Sequence, residues 1–272
     1  MYKEIITITG QELGPTSIIL AGVHGNEVCG IHALEKIIPT LSLDRGTVLF
    51  GYGSPRAIAA KTRFMDVNLN RLFKDDQLLT VSQKESYEYH RAQFLKPYLD
   101  QAEALLDVHA SNTPDSMPFA ICEENAGAIV SCLPFDLNVA GFDALEPGST
   151  IYYMNRSGKI GICVECGYVA DPQSLAKAEE TIFNFLMARG HIAGNVQNYT
   201  QKHIQMHTIY HTKTDHFVLS KLFDDFEPVT KGQVVGVDGN ETVKADEDGV
   251  ILFARNREKV GDEAFLLGRQ QN

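Results

Sequence analysis

The sequence lacks features that would point to a membrane, to nucleic acid or to an oxidising compartment. It contains no run of about eighteen apolar residues, so we expect no transmembrane helix. The 35 acidic residues outnumber the 24 basic ones, and the formal charge of −11 argues against binding to nucleic acid or to an anionic membrane. The five cysteines are an odd number in a chain long enough to build its own core, so we expect reduced thiols.

The amino terminus also lacks the features of a secretory signal. Its first ten residues, MYKEIITITG, alternate as a β-strand does and contain neither an apolar segment nor a small-residue cleavage site. Together with the reduced thiols, this predicts a cytoplasmic protein. The 44% of hydrophobic residues and 22% of charged residues are typical of a globular protein and exclude a disordered chain.

Strand-like and helix-like segments alternate over the first two-thirds of the chain. Continuous apolar runs predict buried strands, and apolar residues that recur every three or four positions predict helices. This alternation predicts an α/β fold with a mainly parallel, mixed sheet flanked by helices. The predicted strands cover 17–23, 46–52, 104–108 and 160–165, and the predicted helices cover 27–38, 81–99 and 172–189.

The pattern changes near residue 195. Beyond it, short β-like stretches alternate with turn glycines, and no helical periodicity is present. We therefore expect two domains, an α/β domain in residues 1–195 that carries the chemistry and a small all-β domain in residues 196–272.

Two histidines stand where predicted parallel strands end. His24 and Glu27 follow one strand in AGVHGNE, and His109 ends another in LLDVHAS. The carboxyl ends of parallel strands are where α/β sheets bind ligands, and two His and one Glu leave a fourth zinc position open for water. The alternative is a surface histidine with a glutamate that favours a helix N-terminus. Asp107 would either orient His109 or make a simple buried hydrogen bond.

Two further motifs contribute polar groups. Glu165 ends the strand at 160–165, where a carboxylate is costly to bury, and it could serve as a general base; a structural ion pair is the alternative. Arg63, Asn70 and Arg71 lie in RFMDVNLNRLF. Guanidinium groups bind carboxylates and stabilise oxyanions, although loop arginines are often only solvated.

The motifs AGVHGNE, RFMDVNLNRLF, LLDVHAS and VECG, in this order, resemble the succinylglutamate desuccinylase/aspartoacylase family, relatives of the zinc carboxypeptidases. The resemblance spans most of the chain. It implies a zinc-carboxypeptidase-like α/β domain, a small C-terminal β domain and one zinc ion per chain. It also implies zinc binding by His24, Glu27 and His109, general base catalysis by Glu165, polarisation of the scissile carbonyl by Arg63, and binding of a substrate carboxylate by Asn70 and Arg71.

Some positions depart from the family pattern. Ser54 stands before Pro55 where an asparagine is usual, and Asn68 stands where an acidic residue is common. Arg156 matches a further substrate-binding arginine of the family if one residue is deleted before the catalytic glutamate. Tyr152 precedes it by four residues, where those enzymes often have a tyrosine. We therefore include Arg156 and Tyr152 among the predicted substrate-binding residues.

The predicted function is hydrolysis of the amide bond of a small N-acyl amino acid, a carboxylate-bearing substrate. A carboxypeptidase acting on short peptides would share the metal site and the carboxylate anchor. A non-catalytic zinc-dependent binding protein is an alternative of another class, and Glu165 argues against it because a metal holder needs no base. The sequence leaves open the acyl group, the amino acid and whether the chain forms a homo-oligomer.

Overall fold

A computed structural model describes residues 4–114 and 116–271. The chain forms two compact units: one contains the chain up to Asn138 with Phe142–Gln201, and the other contains Val139–Gly141 with the chain from Lys202. The elements are, in chain order, β1 (Ile6–Thr9), β2 (Glu12–Ala21), α1 (Val28–Ile37), β3 (Arg45–Tyr52), α2 (Pro55–Ala60), α3 (Val81–Lys84), α4 (Tyr87–Gln101), β4 (Ala104–Ser111), β5 (Phe119–Cys122), α5 (Gly127–Val130), β6 (Leu137–Ala140), α6 (Phe142–Leu145), α7 (Thr150–Asn155), β7 (Ile160–Tyr168), α8 (Pro172–Ala188), β8 (Lys202–His211), β9 (Phe217–Leu219), β10 (Glu227–Val229), β11 (Val234–Asp238), β12 (Glu241–Lys244), β13 (Gly249–Leu252) and β14 (Glu263–Gln271).

The first unit is built on a mainly parallel sheet with the strand order β1-β3-β2-β4-β7-β5. The central strands β3, β2, β4 and β7 run parallel, whereas β1 and β5 pair antiparallel with β3 and β7. Every residue of β4 is buried, as expected of a parallel strand that is covered on both faces. This mixed α/β architecture confirms the predicted fold class.

Different helices cover the two faces of this sheet. Even-numbered residues of β4, such as Val108, join the hydrophobic core that packs against α1 and α8. Odd-numbered residues face α7, since the hydroxyl of Thr150 in α7 donates a hydrogen bond to Asp107 in β4. A Cβ added at Gly161 in β7 would lie 2.7 Å from the carbonyl oxygen of Ile151, so α7 lies directly against the sheet.

One predicted helix differs from the structure. The periodicity predicts a helix over 81–99, whereas the structure has two helices, α3 and α4, that are separated at Ser86. The hydroxyl of Ser86 accepts a hydrogen bond from the N–H of Tyr89, and Thr80 and Gln83 form a capping box at the start of α3. Each helix therefore has its own N-terminal cap, which a search for hydrophobic periodicity does not detect.

The second unit contains strands and turns in its described residues. Strands β8-β14-β13-β10 form one antiparallel arrangement, and β12-β11-β9 form a separate three-stranded sheet. Phe217, Ile251 and Phe265 lie in its hydrophobic core. The assignment of residues 1–195 and 196–272 as two functional domains stays a prediction. No helix within residues 4–114 and 116–271 is both long and apolar enough to cross a bilayer.

Candidate functional site

Three polar side chains meet where β2 and β4 end. β2 passes into a turn at Gly22, whose φ of +66° is readily adopted by glycine. The turn carries His24 and Glu27 up to the start of α1. A Cβ added at Gly25 would lie 2.1 Å from the backbone of α2, so the turn can pack this closely only with glycine there. His109 belongs to β4, the parallel neighbour of β2.

Glu27 lies between the two histidines, and we call these three residues the His–Glu–His cluster. Glu27 Oε1 is 2.9 Å from His24 Nδ1, and Glu27 Oε2 is 2.8 Å from His109 Nδ1. The two Nδ1 atoms are 3.2 Å apart. All three side chains are buried, and one ligand atom from each lies within 4.8 Å of the others. Two imidazole nitrogens and a carboxylate oxygen this close together fit a divalent cation such as zinc.

The far nitrogen of each imidazole ring lies close to an oxygen atom. His24 Nε2 lies 3.1 Å from Asn68 Oδ1, and His109 Nε2 lies 3.1 Å from Asp107 Oδ2. When the proton of each ring is on Nε2, facing these oxygens, the Nδ1 lone pair is directed at Glu27 and is available to a metal ion. A metal ion needs that lone pair, so the orientation of both rings also fits a metal centre.

Burial and the cluster's own charges determine its protonation. Burial lowers the pKa of His24. Burial alone would raise the pKa of Glu27, but the two histidines outweigh it and hold the pKa of this carboxyl well below its usual range. Burial also opposes charge on His109, yet the carboxylates of Asp107 and Glu27 raise its pKa well above the ordinary value. The cluster therefore retains a carboxylate anion, the form that binds a cation.

Glu165 stands beside His109 in the sheet. The two residues are register partners in the parallel pair of β4 and β7, so their side chains project from the same face of the sheet. Cys163 is likewise the partner of Asp107, one pleat earlier. Glu165 is half-buried. A carboxylate next to the cluster and on the same face can exchange a proton with a water molecule there.

Arg63 reaches the cluster from the loop that follows α2. Its Nη1 donates a hydrogen bond to Glu27 Oε1 at 2.8 Å. The loop is held by Glu88, a fully buried residue in the first turn of α4. The carboxylate of Glu88 accepts hydrogen bonds from the three successive N–H groups of residues 65–67, at 2.7, 3.2 and 3.3 Å. This internal anion thus fixes the loop that presents Arg63 and Asn68 to the cluster.

Asn70 and Arg71 lie in one turn of 3₁₀ helix that continues this loop. Asn70 Oδ1 accepts a hydrogen bond from the N–H of Thr150 at 2.9 Å. Arg71 pairs with the carboxylate of Glu146, and its Nη1 donates to the carbonyl of Asn70 at 2.9 Å. Thr150 Oγ1 in turn donates to Asp107 Oδ2 at 2.5 Å. Thr150 and Asp107 therefore connect the Asn70–Arg71 turn to the His–Glu–His cluster.

The structure does not bring Arg156 to the cluster. Arg156 follows α7 and lies six residues beyond Thr150, about 9 Å along the axis at the usual helical rise. Its guanidinium donates to Asp75 Oδ1 at 2.7 Å and lies 5.8 Å from the ring centre of Tyr152. The substrate-binding roles of Arg156 and Tyr152 stay predictions.

Three side chains that support the site were missed in the sequence: Glu88, Glu146 and Thr150. Glu88 has the sequence context of an ordinary acidic residue in a helix's first turn, and its role depends on how residues 65–67 fold. Thr150 directly follows Ser149, whose hydroxyl caps α7, so the pair resembles any helix start.

The fold and the cluster define an α/β protein with a set of nitrogen and oxygen donors that fits a metal ion, at the carboxyl edge of a parallel sheet. Residues 13–189 match the family model described as the succinylglutamate desuccinylase/aspartoacylase catalytic domain. This match covers more than half of the chain, and the chain belongs to this family.

Similar proteins of known name include two deacylases. N-alpha-acetyl-L-2,4-diaminobutyric acid deacetylase from Halomonas elongata is 29% identical over 282 aligned positions, which cover 92% of this chain and 80% of the relative. Succinylglutamate desuccinylase from Shewanella woodyi is 24% identical over 288 positions, which cover 93% and 81%. Both names describe hydrolases that remove an acyl group from an amino acid.

A solved structure shows the same fold. The crystal structure of succinylglutamate desuccinylase from Vibrio cholerae matches with a TM-score of 0.81 at 19% sequence identity, covering 98% of this chain and 86% of that chain. At this identity the likeness establishes the architecture alone, and it agrees with the α/β fold predicted from the sequence.

Proposed function

We propose that this chain is a zinc-dependent hydrolase that cleaves the amide bond of a small N-acyl amino acid. The observation that carries the proposal is the His–Glu–His cluster with Glu165 in register beside His109. The names of the Halomonas and Shewanella relatives, a deacetylase and a desuccinylase, support the same class of substrate.

The cluster and Glu165 divide the chemistry between them. His24, Glu27 and His109 would hold a zinc ion, which would supply Lewis acidity to a carbonyl group and to a water molecule. Glu165 accepts the proton of the attacking water on its carboxylate and then donates it to the nitrogen of the leaving amine. This use of one carboxylate as base and then as acid explains why it stands beside the cluster rather than within it.

The two arginines act on different parts of the substrate. Arg63 already donates to Glu27 Oε1, so its guanidinium is within reach of the negative charge that develops on the carbonyl oxygen. Arg71, with the Asn70 amide beside it, binds the carboxylate of the amino acid. Because Arg71 also pairs with Glu146, a bound substrate carboxylate shares this guanidinium with a protein carboxylate.

We propose that residues 1–195 form the catalytic domain and residues 196–272 the β domain, and that the protein works in the cytoplasm on a small carboxylate-bearing substrate. Arg156 and Tyr152 are kept as candidate contacts to a more distant part of that substrate. A homo-oligomer is compatible with all of these proposals.

The test is a hydrolysis screen on the purified full chain. Protein stripped of metal with a chelator is assayed with N-acetyl amino acids, N-succinyl amino acids and dipeptides, before and after zinc is added. We expect release of the free amino acid from N-acyl substrates after zinc addition, with one zinc per chain by metal analysis. Cleavage of dipeptides alone would identify a carboxypeptidase, and zinc binding without hydrolysis would identify a binding protein.

The base is tested by Glu165→Gln, which keeps the size of the side chain but removes proton acceptance. We expect kcat to fall at least about 100-fold while the zinc content stays unchanged. Glu124→Gln, which changes an exposed carboxylate of the same unit, is the matched control and should leave kcat unchanged. Near-normal turnover of Glu165→Gln would show that another group takes the proton.

A further inference from the structure

Thr150 links the His–Glu–His cluster to the Asn70–Arg71 turn through two hydrogen bonds, which it makes with two different atoms. Its hydroxyl donates to Asp107 Oδ2 at 2.5 Å, and the same Oδ2 lies 3.1 Å from His109 Nε2. Its backbone N–H donates to Asn70 Oδ1 at 2.9 Å. Thr150 and Asp107 are both fully buried, so water cannot take the place of these contacts.

We propose that Thr150 is a positioning residue that aligns the metal-binding histidine with the segment that anchors the substrate carboxylate. It acts on His109 through Asp107 and on Asn70 directly, and it contacts neither the metal nor the substrate. The inference rests on the proposed zinc-dependent function, because it assigns Thr150 a role in holding a zinc ligand.

The hydroxyl of Thr150 is well suited to hold Asp107. A buried carboxylate needs hydrogen-bond donors, and within the described residues Asp107 Oδ1 has no hydrogen-bond partner. The Thr150 hydroxyl therefore supplies the hydrogen bond that holds this carboxylate, at Oδ2, the oxygen that lies at ion-pair distance from the ring of His109. Without the hydroxyl, the carboxylate can rotate away from Nε2, and groups that hold a metal-binding histidine in this way affect metal affinity.

The backbone around Thr150 explains why its position is fixed. Gly148 has a φ of +109°, and a Cβ added there would lie 2.6 Å from the carbonyl oxygen of Arg71. The carbonyl of Gly148 accepts a hydrogen bond from the N–H of Phe73 at 2.9 Å. Ser149 caps the helix that Thr150 begins. The start of α7 is therefore packed directly on the Asn70–Arg71 turn.

The two contacts of Thr150 can be separated by mutation. Thr150→Val keeps the shape and the backbone N–H but removes the hydroxyl, so it should disturb His109 and leave Asn70 in place. Thr150→Ser keeps the hydroxyl. Thr181→Val is a matched control, because Thr181 is equally buried and its hydroxyl donates to a helix carbonyl in α8.

The experiment measures the zinc dissociation constant of the metal-free full chain by competition with a chromophoric chelator, and then kcat and KM. We expect Thr150→Val to weaken zinc binding about 10- to 100-fold. We expect the zinc affinities of Thr150→Ser and Thr181→Val to stay within about threefold of the native value, a smaller change than the loss expected for Thr150→Val. For a carboxylate substrate, Thr150→Val should lower kcat with little change in KM, because Asn70 keeps its partner.

A double-mutant cycle shows whether Thr150 acts through Asp107. Asp107→Asn should weaken zinc binding, and Thr150→Val added to Asp107→Asn should weaken it no further. Native zinc affinity in Thr150→Val, equal losses in the Ser and Val variants, or additive losses in the cycle would overturn the inference. If Thr150→Val does not fold, as judged by urea unfolding of the metal-free chains, Thr150→Ala replaces it in the cycle.

The failure of this inference is distinguishable from failure of the proposed function. Zinc affinity is measured without any substrate, so the Thr150 variants can be compared even if no N-acyl amino acid is cleaved. A native chain that binds no zinc would overturn both the inference and the proposed function. Zinc binding that is lost in Thr150→Val, without hydrolysis by the native chain, would support the inference alone.

Discussion

The two histidines of the cluster are held by unequal partners. His24 Nε2 faces the neutral amide oxygen of Asn68, whereas His109 Nε2 faces the buried carboxylate of Asp107. A carboxylate partner makes an imidazole more basic and a stronger metal ligand than an amide partner does. At the scale of single residues, His109 is therefore the proposed ligand whose strength depends most on its surroundings, and the position of His24 depends more on the glycine-rich turn that carries it.

Arg71 allows a prediction about substrate binding. Arg71→Ala removes a charge-assisted contact of about 1.5–3 kcal/mol, so KM for substrates with a free carboxylate should rise about 10- to 100-fold. Substrates whose carboxylate is amidated should lose little. Steady-state kinetics of both substrate types provide the measurement, and Arg45→Ala, an exposed arginine at the amino end of β3, is the control. An equal loss on both substrate types would mean that Arg71 acts through its pair with Glu146 as a structural group.

The residues of the site differ in how far the sequence reveals them. His24, Glu27 and His109 could be predicted because each follows or ends an apolar run, and strand ends converge in a parallel sheet. The roles of Glu88 and Thr150 could not be predicted, because their hydrogen-bond partners lie far away in the chain. Glu88 binds backbone N–H groups, and Thr150 acts through one hydroxyl and its own backbone N–H. Nothing in residue type or spacing marks such a partner.

At the scale of elements, the loop after α2 is held by an element that follows it in the chain. Glu88 belongs to the first turn of α4, where a negative charge is favoured by the helix dipole. Its carboxylate binds the three N–H groups of residues 65–67, and Asp66 in turn accepts a hydrogen bond from the N–H of Tyr87 at 2.8 Å. The loop and the helix start thus satisfy each other's backbone donors.

Glu88→Gln should therefore loosen the loop that carries Arg63. The amide keeps one acceptor oxygen but turns an NH₂ group toward backbone donors, leaving buried N–H groups unpaired. We expect a loss of about 1–3 kcal/mol in the free energy of unfolding and a fall of at least about tenfold in kcat. Urea unfolding and steady-state kinetics measure the two effects. Glu85→Gln, an exposed neighbour, is the control, and unchanged stability and kcat in Glu88→Gln would contradict this account.

Elements were predicted best where burial determines their pattern. β4 reads as a continuous apolar run because both of its faces are covered. The break between α3 and α4 was missed because it depends on the hydroxyl of Ser86 and leaves the periodicity intact. The strand order in the sheet could not be predicted either, because pairing between strands is set by tertiary packing that no local pattern records.

At the scale of the whole molecule, the predicted chemistry is confined to one compact unit. Every residue with a predicted role in metal binding, catalysis or substrate binding lies in the unit that contains the parallel sheet. The change of pattern near residue 195 was visible because helical periodicity stops there. The global stability of the chain also depends on groups in this unit outside the cluster, and Asp143 in α6 is one that titrates at accessible pH.

The surroundings of Asp143 favour its protonated form. Burial, opposed by the hydrogen bond that Asn155 donates and assisted by the negative charge of Glu123, raises the pKa of this carboxyl to about 6. Within the described residues, Asp143 Oδ1 is buried with no hydrogen-bond partner. In the unfolded chain the carboxyl returns to its ordinary value of 3.8. The proton is therefore bound more tightly in the folded chain than in the unfolded one.

The sign of the pH dependence follows from this difference. Below about pH 4 both states are protonated, whereas between pH 4 and 6 the unfolded chain releases its proton first, so the contribution of Asp143 to stability is lost as the pH rises through about 6. The full difference in pKa corresponds to about 3 kcal/mol, and partial exposure of the side chain reduces the expected effect to about 1 kcal/mol.

The substitution Asp143→Asn removes this pH dependence of stability. Relative to the native chain, the variant should gain about 1 kcal/mol between pH 4 and 7.5, measured by urea unfolding of metal-free protein. Asp136→Asn, at an exposed position, should show no such gain, and a pH-independent difference for Asp143→Asn would show that Asp143 is ionised in the folded chain throughout.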